Sequence, residues 1–364
     1  AGKPFCKEAY VPTEEETQFL GRLACETWEF FKTYCTPQEH GLPPDNVQIL
    51  PATGVAHRTS PTNIGLMATA ICTARRMGFV TLCEMLSRLE AMFNALDHME
   101  QWKGHFLNWY DTRTLSPLKP RYVSAVDSGN LAGFLLTCAR IAEMEIGETI
   151  LIAGQVTGIC DTVMYYQQDE RFPGSGVLAA LRHSQDMGPG EFIMTMGDVT
   201  CTDERAKTFV GGWLSEMRHI FPWTVLLYEM PQELSANDDL TGEVERLTGR
   251  LMRPLSIKTM VDAYGDILDD VSQVMKKLMD VEMEALARKR CRQWLMQLER
   301  GLSESHTVAQ GLYERLNKIA LRSKEIALGM DFAALYVEDR DLFVIGYDLE
   351  NGEPGDSYYD LFAS

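Results

Sequence analysis

The sequence contains no CxxC pair, no HExxH and no closely spaced Cys/His set among its nine cysteines and seven histidines. That absence removes the ligand spacings of structural zinc. The odd, widely scattered cysteines argue against a disulfide framework and for a reducing compartment. Cations are also short: 34 Lys and Arg face 52 Asp and Glu, a net charge of -18 over 364 residues. Phosphate-backbone binding needs clustered Lys and Arg, so nucleic acid is excluded as a partner, as is docking of this chain on an anionic membrane surface. The longest apolar runs, "FPWTVLLY" and "TILIAG", are far below the roughly 20 residues that span a bilayer. No Gly-rich phosphate loop, nucleotide fingerprint or Ser/His/Asp order occurs, and no cofactor or metal is expected. The opening "AGKPFCKEAY" lacks the pattern of a secretory leader and reads as a chain entered mid-sequence.

What is present is helical periodicity. An apolar fraction of 45% suits an ordinary globular chain. Phe19, Leu20, Leu23, Trp28 and Phe31 mark a helix over about 13–34. Pro61 suits a first helical position, followed by Ile64, Met67 and Ile71 on one stripe. Leu82, Met85, Leu86, Leu89, Met92, Phe93 and Leu96 form the cleanest amphipathic stripe of the chain. A further helix begins at "DSGN", with Asp127 or Ser128 as its cap and Leu131, Leu135 and Cys138 facing inward. Beyond residue 147, polar loops such as "QQDERFPGSG" and "PQELSANDDLTGE" alternate with helices, including one over 256–283 and one over about 303–328. "ALYVEDRDLFVIGYDL" reads as two short strands around "EDRD".

The connections between the first helices are unequal. Loops 36–60 and 98–126 are long, whereas the turn near Gly78 is short. If successive helices run antiparallel, both long loops and the helix starts at Pro61 and Asp127 lie on one face. Long loops gathered on one side of a helical layer are more often functional than accidental. Alternating long and short connections suit an α/α toroid, and a plain helical bundle remains open.

That face carries "GHFLNWYDTRT". Trp109 and Tyr110 combine an apolar face with a polar handle, as a sugar platform requires. Asp111 can accept from vicinal hydroxyls, with Asn108 as a mixed donor and acceptor. Taken in isolation, packing of the same aromatics under a hairpin explains the cluster more easily. In a strand, Trp109 and Asp111 point one way, Asn108 and Tyr110 the other. In "AHRTSPTN", Arg58 can hold a carboxylate or a substrate oxygen, although Thr59, Ser60 and Asn63 are ordinary capping chemistry. Asp127 is either a cleft carboxylate or a cap. Glycoside chemistry needs two carboxylates flanking a bond; the long loops offer Glu39 and Glu100, and neither stands out.

"WEFFKTYCTP", "LPPDNVQ", "VAHRTSPTNIGL", "GHFLNWYDTRTLSPLKPRYVSAVDSGNLAG" and "LFVIGYDLENGEPGDSYYDLFAS" occur in this order. Together they resemble the central region of bacterial cyclic β-1,2-glucan synthases, densely over 13–145 and 331–364. The resemblance implies an all-α, (α/α)6-toroid-like layer, incomplete here, with a long helical insertion and short β-hairpins. Residues 1–146 would hold the first toroid helices and cleft loops, 147–330 the insertion, and 331–364 a hairpin returning to the toroid. It implies a glycoamylase-like region that cleaves and rejoins β-1,2-glucan by transglycosylation. Arg58, Asn63, Trp109, Tyr110, Asp111, Asp127 and Asn130 would then be substrate-side residues. The partners implied are a β-glucan oligosaccharide and the glycosyltransferase and phosphorylase-like parts of one longer polypeptide, on the cytoplasmic side of the bacterial inner membrane. The glutamates associated with the family's chemistry lie after "YYDLFAS", so no catalytic residue is assigned and the chain alone is expected to be inactive. The rival expectations are a non-catalytic glucan-binding or scaffold module and a β-1,2-glucan hydrolase.

Overall fold

A computed structural model describes residues 10–167, 181 and 187–358. The polar stretch 168–176 and the terminal residues 359–364 therefore lie outside the described residues. The protein is mainly α, with short antiparallel strand pairs. The first helices are α1 (Glu14–Tyr34), α2 (Pro61–Arg76), α3 (Leu82–Leu96), α4 (Ala125–Gly147) and α5 (Ala153–Gln167). There follow α6 (Pro189–Gly197), α7 (Glu204–Ile220), the short α8 (Thr224–Tyr228) and α9 (Gln232–Ser235), and α10 (Thr241–Leu251). The last are α11 (Ile257–Asp262), α12 (Tyr264–Asp280) and α13 (Ala285–Gly329). None is long and apolar enough to cross a membrane.

The helix starts follow local chemistry. Thr13 opens α1 with a reciprocal capping box to Glu16, and Ser60 caps α2 ahead of Pro61. Thr81 accepts from the Glu84 amide at the start of α3. The buried Glu216 of α7 reaches the same end and accepts from Leu82 N (2.8 Å) and Cys83 N (3.0 Å). Thr81→Ala should therefore cost only about 1 kcal/mol. Glu216→Ala should cost about 2–3 kcal/mol, because it strands buried amides that a carboxylate satisfied. Urea unfolding midpoints compare the two, and equal losses would contradict this ranking.

The cap of α4 differs from expectation. Ser124, not Asp127 or Ser128, accepts from the Asp127 amide, and the helix begins at Ala125. The strand just before it delivers Ser124 in extended geometry, which moves the cap upstream and leaves the Asp127 carboxylate free for other partners.

Helices α2 and α4 lie side by side with matching ends. Thr62 in the first turn of α2 donates to Asp127 in the first turn of α4 at 2.6 Å. Arg75 and Arg76 at the far end of α2 pair with Glu145 at the far end of α4. The turn at Gly78, with φ +74, sits at that far end. Helix α5 crosses this end so closely that a Cβ on Gly158 would lie 1.6 Å from the Met77 carbonyl oxygen.

The expected helix over 256–283 is broken at Ala263 into α11 and α12. His306 of α13 donates from Nδ1 to the Met260 carbonyl (3.2 Å), and the Tyr264 ring stacks on its imidazole at 4.0 Å. These contacts come from a distant helix, which periodicity cannot anticipate. The helix expected from 303 begins instead at Ala285, and its 45 residues bury Cys291, Leu295, Leu298, Leu302, Leu312 and Leu316 along one side. It lies against α4 and α3. Arg315 grips Glu90 with two bonds of 2.8 and 2.9 Å, and Arg322 and Lys324 pair with Asp97 and Glu143. Exposed pairs contribute roughly 0.2–1 kcal/mol each, against roughly 1.5–3 kcal/mol per buried Leu. Burial holds the long helix, and the charges set its register.

The strands tie loops together. β1 (Val47–Gln48) pairs with β2 (Gly54–Val55), β3 (Arg58–Thr59) with β6 (Tyr110–Asp111), and β4 (Gln101–Trp102) with β5 (His105–Phe106). The hairpin expected around "EDRD" forms as β8 (Tyr336–Val337) and β9 (Leu342–Phe343). Beyond it, β10 (Gly346–Asp348) joins β7 (Tyr122–Ser124) and β11 (Glu353–Pro354) in one sheet. The C-terminal segment thus returns to the second long loop, where Trp102 and Tyr347 stack at 4.5 Å.

Candidate functional site

Pairing of β3 with β6 sets Arg58 opposite Asp111 and Thr59 opposite Tyr110, so the two long loops share one face. The alternation resolves the aromatic cluster. Tyr110 and Thr59 are 0% exposed. The Tyr110 hydroxyl accepts from Leu107 N (2.6 Å) and donates to the Glu100 carbonyl, and burial raises its pKa. Tyr110 supports the loop from beneath and presents no surface to a ligand, which corrects the expectation that it is a substrate-side residue.

Asp111 builds the turn that follows. It accepts from the amides of Arg113 (2.9 Å) and Thr114 (3.0 Å) and lies 3.6 Å from the Arg113 guanidinium. Partial burial works against its charge, but these donors outweigh it and hold the carboxyl below its ordinary pKa.

Trp109 faces outward and is half-buried. The Arg58 guanidinium lies 4.7 Å from its ring centroid, a contact of roughly 0.5–1 kcal/mol at an exposed site. Arg58 is held in turn by Asp45, at 3.0 Å from Nη2 and 3.3 Å from Nε. The other oxygen of Asp45 accepts from Asn63 Nδ2 at 3.3 Å. With the Asn108 amide oriented to satisfy both its ends, it accepts from Trp109 Nε1 (3.2 Å) and donates to Asp127 Oδ2 (3.0 Å). Asp127 Oδ1 accepts from Thr62, which also accepts from Asn130 Nδ2 at 3.1 Å.

Arg58, Asn63, Trp109, Asp127 and Asn130 therefore fall in one polar network drawn from two loops and two helix N-termini. Asn108 bridges into it although strand alternation sends it the other way, because the strand begins only at Tyr110. Asp45 and Thr62 are the members that sequence reasoning did not select. Asp45 stood in "LPPDNVQ", but nothing local showed that its amide would donate to the Arg58 carbonyl at 2.7 Å. Thr62 stood in "AHRTSPTN" between the residues read as capping chemistry.

Beneath the network, Glu39 is buried and accepts from His57 Nδ1 (2.9 Å) and from the Thr112 hydroxyl. His40 donates from Nδ1 to the Thr112 carbonyl at 2.9 Å. Glu100 pairs with Arg121. Both glutamates thus join the first or second loop to its neighbours. No disulfide and no cluster of three metal-ligating side chains occurs among the described residues.

No family model matches this chain. It is 27% identical over 359 residues to cyclic beta-(1,2)-glucan synthase NdvB of Rhizobium meliloti (strain 1021), a match that takes in 98% of this chain. The chain spans 11% of the length of that protein, and is similar to this one stretch of it.

Proposed function

We propose that this chain is part of a carbohydrate-active domain that cleaves and rejoins β-1,2-glucan, and that it supplies the substrate-cleft side of that domain. In this reading the helices belong to a toroid-like layer, and loops 43–63 and 104–130 form the cleft wall. The observation that carries it is the single network joining Asp45, Arg58, Asn63, Trp109, Asp127 and Asn130. It offers an aromatic edge, guanidinium and amide donors, and carboxylate acceptors, the mixture that hydroxyl-rich rings need. Similarity along nearly the whole chain to a stretch of a glucan synthase supports the same substrate. Transferase and phosphorylase-like parts of a longer polypeptide, at the cytoplasmic side of the bacterial inner membrane, belong to this reading. No bond-breaking pair is assigned among these residues.

Calorimetric titration of the 364-residue chain with a linear β-1,2-gluco-oligosaccharide tests the proposal. Binding is expected, and Trp109→Ala should weaken it about tenfold while leaving the urea midpoint within about 1 kcal/mol of the parent. The loss follows from the aromatic edge and the Asn108 anchor disappearing together. Unchanged affinity would make Trp109 a packing residue.

A further inference from the structure

A cavity of about 480 Å³ opens beside Arg58, walled by the β1–β2 hairpin and by His57 and Arg113. This volume lies within the usual range of small-ligand sites. Its ionisable lining groups are all basic: His57, Arg58 and Arg113. In a chain of net charge -18, three such groups around one cavity would ordinarily signal an anion.

The surroundings argue otherwise. Each basic group has a carboxylate of its own outside the lining: Asp45 for Arg58 at 3.0 Å, Asp111 for Arg113 at 3.6 Å, and Glu39 for His57 at 2.9 Å. The positive charge is thus compensated locally, while the carboxylates orient the donors. The polar side chains add one donor and one acceptor. Thr53 donates to Gln48 Oε1 at 3.0 Å, which leaves the Gln48 amide to donate. Asn46 donates through Nδ2 to Asp45 at 2.9 Å, which leaves its oxygen to accept. An anion uses donors alone, whereas a hydroxyl both donates and accepts.

We infer that this cavity is a subsite for a neutral, hydroxyl-rich ring, a hexose unit that donates to Asn46 and accepts from Gln48, Arg58 and Arg113 on the hairpin side of Arg58. The inference rests on the glucan reading above and extends it from the network to Gln48 and Arg113, which lie in the same loops but outside the network. Arg58 forms the shared wall, so one chain of sugar units can run from Trp109 past Arg58 into the hairpin.

The test uses the 364-residue chain with a linear β-1,2-gluco-oligosaccharide and, separately, inorganic phosphate. Gln48→Ala and Arg113→Ala should each raise the oligosaccharide Kd about tenfold, the effect of losing a hydrogen bond with a charged or well-oriented partner. Gln48 is the exposed residue of a two-residue strand, so its variant keeps the fold, and a urea midpoint checks Arg113→Ala. Phosphate should show no binding that depends on Arg113. If Trp109→Ala weakens the sugar but neither cavity variant does, the subsite is wrong and the cleft reading stands. If the chain binds no oligosaccharide, both fail. Arg113-dependent phosphate binding would overturn the neutral-ligand assignment.

Discussion

Arg75→Met should destabilise the protein by about 3–5 kcal/mol, the range for stripping one partner from a buried ion pair. Arg75 is 0% exposed and Glu145 4%. Nε donates to Glu145 at 3.1 Å and Nη2 to the Ile150 carbonyl at 2.7 Å, while the guanidinium lies 5.7 Å from the Trp213 ring centroid. Met occupies a similar volume, so the loss is electrostatic. Glu145 would keep only Arg76, at 3.8 Å. Domain stabilities are roughly 5–15 kcal/mol, so a loss of this size would consume much of the reserve. Arg75→Met with Glu145→Leu should recover most of it, since a buried pair replaced by apolar groups is often neutral. Urea midpoints for the parent, single and double variants decide the matter. A single-variant loss under about 1 kcal/mol, or a double variant no better than the single, would show that the pair does not bind α2 to α4 at this end.

Asp127→Ala addresses the opposite end of the same two helices. Its carboxylate takes the Thr62 hydroxyl at 2.6 Å and the Asn108 amide at 3.0 Å. Charge-assisted bonds of this kind are worth about 1.5–3 kcal/mol each. Because Asp127 is only partly buried, water replaces much of what stability loses, and the unfolding cost should stay near 1 kcal/mol. In the glucan reading, sugar affinity should fall much further, by about ten- to a hundredfold, because Asn108 and Thr62 lose their common anchor and Asn130 is held only through Thr62. Asp127→Asn should fall between parent and Ala, since it retains one acceptor for Thr62. The outcome that defeats this account is an affinity loss no larger than the stability loss, which would return Asp127 to a purely local role.

The two ends of the α2–α4 pair differed in how readable they were. At the N-terminal end, polar residues stood in long loops beside helix starts, and their concentration on one face followed from loop lengths alone. At the far end, Arg75 and Glu145 sat inside helical stretches that read as ordinary amphipathic sequence. A charge within a helix shows nothing of its burial until another helix covers it. The Tyr110 error has a similar cause. Aromatic side chains serve a core and a sugar equally well, and only the β3–β6 register decided that Tyr110 points inward and Trp109 outward.

The amino-acid sequence by itself determined the helical class, the starts of α1 and α2 and the loops that carry polar chemistry. These follow from apolar spacing, capping residues and proline, all of which act within a few positions along the chain. The tertiary structure alone decided the break at Ala263, the transfer of the α4 cap to Ser124, and the partners Asp45 and Thr62. It also decided that each basic group of the hairpin cavity has a carboxylate outside the lining. The break, the partners Asp45 and Thr62, and the carboxylates beside Arg58 and His57 depend on groups distant in sequence meeting, the α4 cap depends on β7 pairing with β10, and no local pattern encodes such meetings.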